Sequence, residues 1–157
     1  MHILLATDAD WLVAEVTAAL GDDDVRFTIC REGRVVTDQV ARATPDLAIL
    51  DLQIGSMGGM AVTMGLRLDE SAGVLEHVPV LMLLDRAADV HLARRSGAEG
   101  WLIKPLDSLR LRRAAEAVAG GGQYTEGLPA DAVEVESMVP LPDADSATPE
   151  EEPATAG

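Results

Sequence analysis

Five short apolar runs recur along the chain, each followed by a polar or glycine-bearing turn and, after four of the five, by apolar residues at three- and four-residue spacing. His2-Ile3-Leu4-Leu5-Ala6 is unbroken, as expected of a strand buried on both faces. It stops at Thr7-Asp8-Ala9-Asp10, where Asp8 or Asp10 is placed to cap a helix carrying Leu12, Val13, Val16, Ala19 and Leu20. Gly21 and three aspartates close that helix. Val25 to Cys30 alternates, with Phe27 and Ile29 on one side, and reads as the second strand. Arg34 to Arg42 reads as a helix stopped by Pro45, and Leu47-Ala48-Ile49-Leu50 as the third strand, ending at Asp51. Beyond a loop holding Gly55, Gly58 and Gly59, the helical spacing of Met57, Met60, Ala61, Met64 and Leu68 predicts a core-facing stripe. Val80 to Leu84 is the fourth strand, and Asp85 is expected to cap a helix that runs to Arg95 and stops at Gly97. Trp101-Leu102-Ile103 is the fifth strand. Asp107 then caps a last helix with Leu111, Ala115 and Val118 inward, ended by Gly120-Gly121-Gly122.

Strands alternating with helices predict an α/β domain, with right-handed crossovers and a parallel sheet covered on both sides. In such a sheet polar groups gather at the carboxyl ends of the strands, beside the point where strand order reverses. The residues at those ends are Thr7-Asp8, Asp51, Leu84-Asp85 and Lys104-Pro105. Their convergence would bring carboxylates and an ammonium into one crevice. Oxygen donors of this kind suit Mg²⁺, which takes few protein ligands and keeps its waters. A carboxylate beside such an ion can attack phosphorus and hold the phosphoryl group as an acyl phosphate. Lys104 is the only lysine among twelve basic residues. Arginine serves elsewhere, so the compact point charge at this strand end stands out.

Composition narrows the choices. At 48% hydrophobic and 25% charged residues the chain is ordinary for a globular domain. A formal charge of −15 excludes wrapping nucleic acid or lying on anionic lipid, since both need a positive field. The run Val80 to Leu84 is far short of the roughly 20 residues of a membrane span. No base precedes Arg26, which argues against a signal peptide, and the single cysteine, Cys30, makes a reducing cytoplasm the expected location. Residues 120–157 carry nine acids, no base and five of the eight prolines, and are expected to form a flexible tail behind a folded body of residues 1–119. Residues 85–113 hold seven bases against four acids. The tail's acids could therefore sit on Arg94, Arg95, Arg110 and Arg113, with Val133, Val135, Val139 and Leu141 docking weakly beside them.

Four stretches together carry a resemblance: Ile3-Leu4-Leu5-Ala6-Thr7-Asp8, Leu47-Ala48-Ile49-Leu50-Asp51-Leu52-Gln53, Pro79-Val80-Leu81-Met82, and Gly97-Ala98-Glu99-Gly100-Trp101-Leu102-Ile103-Lys104-Pro105. In this order the chain, from residue 1 to about 119, resembles the receiver domain of two-component response regulators. The resemblance implies a flavodoxin-like, doubly wound (βα)5 fold with strand order 2-1-3-4-5. It implies Asp51 as phosphoacceptor and Lys104 as phosphate clamp. Mg²⁺ would be held by Asp8, Asp51 and the Gln53 backbone carbonyl, with a cis Lys104-Pro105 bond nearby. A histidine kinase or small phosphodonor would supply the phosphoryl group. An effector protein would be met through the fourth helix, fifth strand and fifth helix, and a homodimer is left open.

Four positions depart from the family pattern. Thr7 stands where a first acid is usual, so it would meet the metal only through water and Mg²⁺ affinity should fall. Leu84 replaces a Ser or Thr that would bond the phosphoryl oxygen. Trp101 replaces a Tyr or Phe that swings inward, and Gly55 replaces a proline. These departures point to an atypical receiver; residues 120–157, which are not expected to hold a helix-turn-helix, point to a stand-alone one that signals by protein contacts and is not an enzyme. The main alternative is a degenerate receiver acting as a protein-binding module whatever its phosphorylation state. A third reading, a phosphatase of the haloacid-dehalogenase type, rests on Asp8-Ala9-Asp10 with Asp85 and Asp89, but places the lysine after the late acids instead of before them.

Overall fold

The structure is a computed structural model, and the residues it describes are 1–127 of the 157. Five strands, β1 (His2–Ala6), β2 (Arg26–Cys30), β3 (Leu47–Asp51), β4 (Val80–Leu84) and β5 (Gly100–Ile103), alternate with α1 (Asp10–Leu20), α2 (Val36–Arg42), α3 (Gly59–Ser71), α4 (Val90–Ser96) and α5 (Ser108–Ala119). All strands pair in parallel, in the order β2-β1-β3-β4-β5. The fold is thus the flavodoxin-like doubly wound sheet, and its switch point lies between β1 and β3.

Buried strands explain the unbroken apolar runs. Every residue of β1, β3 and β4 is buried, and alternate positions feed opposite faces. Ile3, Leu5, Leu47, Ile49, Leu81 and Leu83 pack with Leu12 and Val16 of α1 and Leu111 and Val118 of α5. Leu4, Ala6, Ala48, Leu50 and Val80 pack with Val36 and Val40 of α2 and Val62 and Leu66 of α3. β2 is an outer strand, and its Ile29 is exposed rather than inward.

Three local expectations are corrected. In α3 the buried stripe is Gly59, Val62, Thr63 and Leu66, whereas Met57, Met64 and Leu68 are exposed. Both stripes keep helical spacing; the inner one carries glycine because a Cβ at Gly59 would lie 2.8 Å from the Asp51 carbonyl oxygen. Neither Asp8 nor Asp10 caps α1, whose N-cap is Ala9, and Asp85 caps nothing: the 3-10 turn Ala87–Asp89 that leads into α4 begins after Arg86. Asp107 does cap α5, accepting the Arg110 N–H at 2.9 Å.

Residues 120–127 belong to the folded body rather than to the tail, and the compact unit runs from Met1 to Gly127. Tyr124 pairs alongside Gly100 of β5, and Glu126 bonds Arg110. Composition averaged over 38 residues masked this short anchored stretch. The acids and apolar residues expected to dock from beyond Gly127 lie outside the described residues.

Candidate functional site

β3 ends by delivering Asp51 to the crevice at the switch point, where its side chain is almost wholly buried yet fully satisfied. Oδ1 accepts Lys104 Nζ at 2.8 Å and the Gln53 N–H at 3.2 Å, and Oδ2 accepts the Thr7 hydroxyl at 2.8 Å. Thr7, fully buried at the end of β1, also accepts the Ala9 N–H at 3.1 Å. Its hydroxyl is therefore spent on the carboxylate and on the turn into α1, a role not anticipated for it. Asp8, the next residue, is exposed and accepts the Gly55 N–H at 3.1 Å. A proline at position 55 would have no N–H to give. The glycine read as a departure is what ties the β3–α3 loop to Asp8.

Lys104 follows β5, its backbone N–H bonded to the Leu84 carbonyl at 2.8 Å and its peptide bond to Pro105 cis. Its ammonium bridges Asp51 and Asp85, the latter at 2.9 Å, and lies 5.9 Å from the centre of the Trp11 ring. Burial alone would lower the Lys104 pKa; hydrogen bonds to Asp51 and then Asp85, with the charges of both, outweigh it and raise the pKa above its ordinary value. The lysine is held as a cation. Asp85, which the sequence offered both as a helix cap and as one of the polar residues at the strand ends, is part of the crevice.

Leu84 is fully buried at the end of β4 and offers no hydroxyl to the crevice. Trp101 is buried in β5, with its indole N–H donated to the Glu126 carbonyl at 2.9 Å. The second acid of each pair in the phosphatase reading is engaged by an arginine: Asp10 pairs with Arg31 at 2.7 Å, and buried Asp89 accepts Arg86 at 2.9 Å. A concavity of about 750 Å³ opens beside Met1, Gly21 and Arg112 at the amino-terminal end of the sheet, and Asp51 does not line it.

The donor set suits a hard cation. Asp8 and Asp51 offer carboxylate oxygens, and two carboxylates are a usual protein share for Mg²⁺, which keeps its remaining waters. Among the described residues no group of three or more His, Cys, Asp or Glu is arranged to hold a metal ion. A site of this composition fits Mg²⁺ better than a metal that needs an all-protein cage.

The fold and the crevice define the class: a doubly wound parallel sheet that gathers a nearly buried aspartate, a lysine and a further acid at the carboxyl ends of its strands. The chain matches the response regulator receiver domain family over residues 3–116 and belongs to that family. It is 33% identical over 134 residues to the transcriptional regulatory protein CseB of Streptomyces coelicolor, covering 80% of this chain and 55% of the relative. It is 31% identical over 105 residues to the DNA-binding response regulator MtrA of Mycobacterium leprae, covering 65% and 44%. The chain thus spans about half the length of the curated relatives it matches. Among solved structures, the chemotaxis response regulator CheY4 of Vibrio cholerae superposes with a TM-score of 0.66 at 23% identity over 74% of this chain and 97% of that one. The receiver domain of sensor histidine kinase PA1611 from Pseudomonas aeruginosa, which carries a magnesium ion in its active-site cleft, gives a TM-score of 0.64 at 22% identity, over 76% and 98%. Receiver domains are modules of two-component signalling, and among the described residues no helix is long and apolar enough to cross a membrane.

Proposed function

We propose that this receiver accepts a phosphoryl group on Asp51 from a histidine kinase or a small phosphodonor, with Mg²⁺, and passes the signal on by protein–protein contact. The observation that carries this reading is the pair of bonds on one buried carboxylate: Lys104 Nζ at 2.8 Å on one oxygen and the Thr7 hydroxyl at 2.8 Å on the other. They orient the nucleophile and keep a fixed positive charge beside it. In the transfer a carboxylate oxygen of Asp51 forms the new O–P bond. The bond from phosphorus to the donor's imidazole nitrogen or acetate oxygen breaks, and its electron pair leaves with the donor. Bound between Asp8, Asp51 and the Gln53 carbonyl, Mg²⁺ would neutralise phosphoryl oxygens. Lys104 neutralises others, and its second partner, Asp85, holds it at the rim. With one acid fewer than the family pattern, metal affinity is reduced.

The test is exposure to acetyl phosphate and Mg²⁺ followed by intact-mass measurement. A single phosphoryl adduct is expected in the parent and none in Asp51→Asn. An unmodified parent would remove this reading. The second reading, a protein-binding module independent of phosphate, is favoured by Leu84, which cannot bond a phosphoryl oxygen, and by Trp101, whose indole is already bonded. An effector that binds parent and Asp51→Asn equally would establish it.

A further inference from the structure

β5 is the outermost strand, so one side of it carries backbone groups with no strand to pair them. Here the residues after α5 close that edge. The Tyr124 carbonyl accepts the Trp101 N–H at 2.8 Å, and the Tyr124 N–H reaches the Glu99 carbonyl at 3.4 Å. The next outward N–H, that of Ile103, goes to a side chain instead of a backbone carbonyl: Glu126 Oε1 accepts it at 2.9 Å. The other oxygen of Glu126 accepts Arg110 Nε at 2.7 Å, and the Glu126 backbone carbonyl holds the Trp101 indole. Arg110 also closes the Ile103 carbonyl at 3.1 Å. One glutamate thereby satisfies a strand edge, an arginine of α5 and a buried indole.

The fit is close on both sides. A Cβ at Gly100 would lie 2.7 Å from Val118 and 2.8 Å from the Tyr124 carbonyl oxygen. Gly127, with φ of +80°, would place a Cβ 2.8 Å from Ile103 and 3.1 Å from Val90 at the start of α4. Gly100 in the wall lets the main chain at Tyr124 come close, and Gly127 turns the segment away past Ile103 and Val90, so the groove holds a short stretch of main chain alongside β5. Its chemistry is strand addition, in which main-chain bonds supply affinity and a side-chain socket supplies selectivity. The socket here is Arg110.

We infer that the β5 edge, Arg110 and the start of α4 form a recognition groove for an extended, glutamate-bearing segment, which this chain fills with its own residues 124–127 as a displaceable strap. An effector binds this face by presenting a like segment, its glutamate two residues beyond the one that pairs with Gly100, and by replacing the strap. The signalling consequence rests on the receiver reading above. The groove does not, so its test contains no phosphodonor.

The test uses the full chain and amide hydrogen exchange. In the parent, the Trp101 and Ile103 amides should exchange at least about tenfold faster than the Ile49 and Leu81 amides of the core, because the strap opens without global unfolding. Glu126→Gln should speed those two by about another tenfold and leave Ile49 unchanged. A peptide of the sequence Gly-Gln-Tyr-Thr-Glu-Gly added to that variant should restore their protection, and the same peptide with Gln for Glu should not. Trp101 and Ile103 exchanging at the Ile49 rate in the parent would overturn the inference, since the segment would then be an inseparable part of the fold. A Glu126→Gln chain that loses core protection, or one the peptide fails to protect, would overturn it equally. Loss of the phosphoryl adduct in the earlier experiment would leave these outcomes untouched.

Discussion

At Asp51 the hydroxyl of Thr7 does work that an acid in its place could not: it donates to Oδ2 in a fully buried position. Thr7→Val keeps the shape and removes the donor. It should lower unfolding stability by about 1–3 kcal/mol, the usual penalty for leaving a buried acceptor unmade, read as a reduced urea midpoint at unchanged slope. Thr7→Asp acts in the opposite sense on the metal. A second carboxylate beside Asp51 repels it without a cation and attracts a divalent ion, so Mg²⁺ binding should tighten by at least about tenfold when titrated through the Trp11 fluorescence. An unchanged affinity would mean that position 7 does not face the ion. Asp51 and Lys104 were legible from sequence because each directly follows an apolar strand, and parallel topology sends such residues to one edge. The partners of Asp8 and Glu126 were not, since neither meets another strand-end side chain: Asp8 accepts a loop N–H from Gly55, and Glu126 bonds Arg110 of α5. Local pattern also offered Asp8 and Asp85 as helix caps, which neither is.

Among the elements, β1, β3 and β4 were the clearest in the sequence, because a strand buried on both faces has no polar position to interrupt it. The inward face of α3 was not, because two stripes of equal spacing compete there and the richer in methionine is the outer one. The strap after α5 was hidden by its acidic neighbours, and Glu126 makes it responsive to pH. Burial alone would raise the pKa of Glu126; the Arg110 hydrogen bond, the Ile103 N–H and the Arg110 charge outweigh it and lower the pKa, with Asp107 opposing. A carboxylate whose folded pKa is depressed contributes stability that is present above its unfolded value near 4.5 and lost as pH falls through the folded one. In a Trp11→Phe background, where Trp101 is the remaining indole, acrylamide quenching should therefore rise as pH drops below about 4.5, before the core unfolds. Glu126→Gln should show the higher quenching already at neutral pH. Identical acid profiles in the two chains would mean that Glu126 does not hold the indole.

For the whole molecule the crevice and the fold are one thermodynamic system. The chain carries a formal charge of −15; at the strand ends Asp51 and Asp85 share a single ammonium, and Asp8 lies exposed after β1 with the Gly55 N–H as its partner. Self-repulsion of this kind opposes compaction, and a cation bound there relieves it only in the folded state, where the strand ends are brought together. Binding confined to the native state stabilises it by RT ln(1 + [L]/Kd), about 2.7 kcal/mol at a hundredfold excess over Kd. The melting temperature should therefore climb with Mg²⁺ and keep climbing logarithmically past half-saturation, while the same ionic strength of NaCl produces a smaller rise that levels off. Asp8→Asn separates the two effects: it removes one charge of fifteen, so the response to NaCl should be nearly unchanged, but it deletes a proposed metal ligand, so the Mg²⁺-specific part should disappear. A parent whose melting temperature follows ionic strength alone, with Asp8→Asn superimposable on it, would show that the converged carboxylates hold no divalent ion. The bonds between Lys104, Asp51 and Asp85 would then serve the fold and not a phosphoryl transfer.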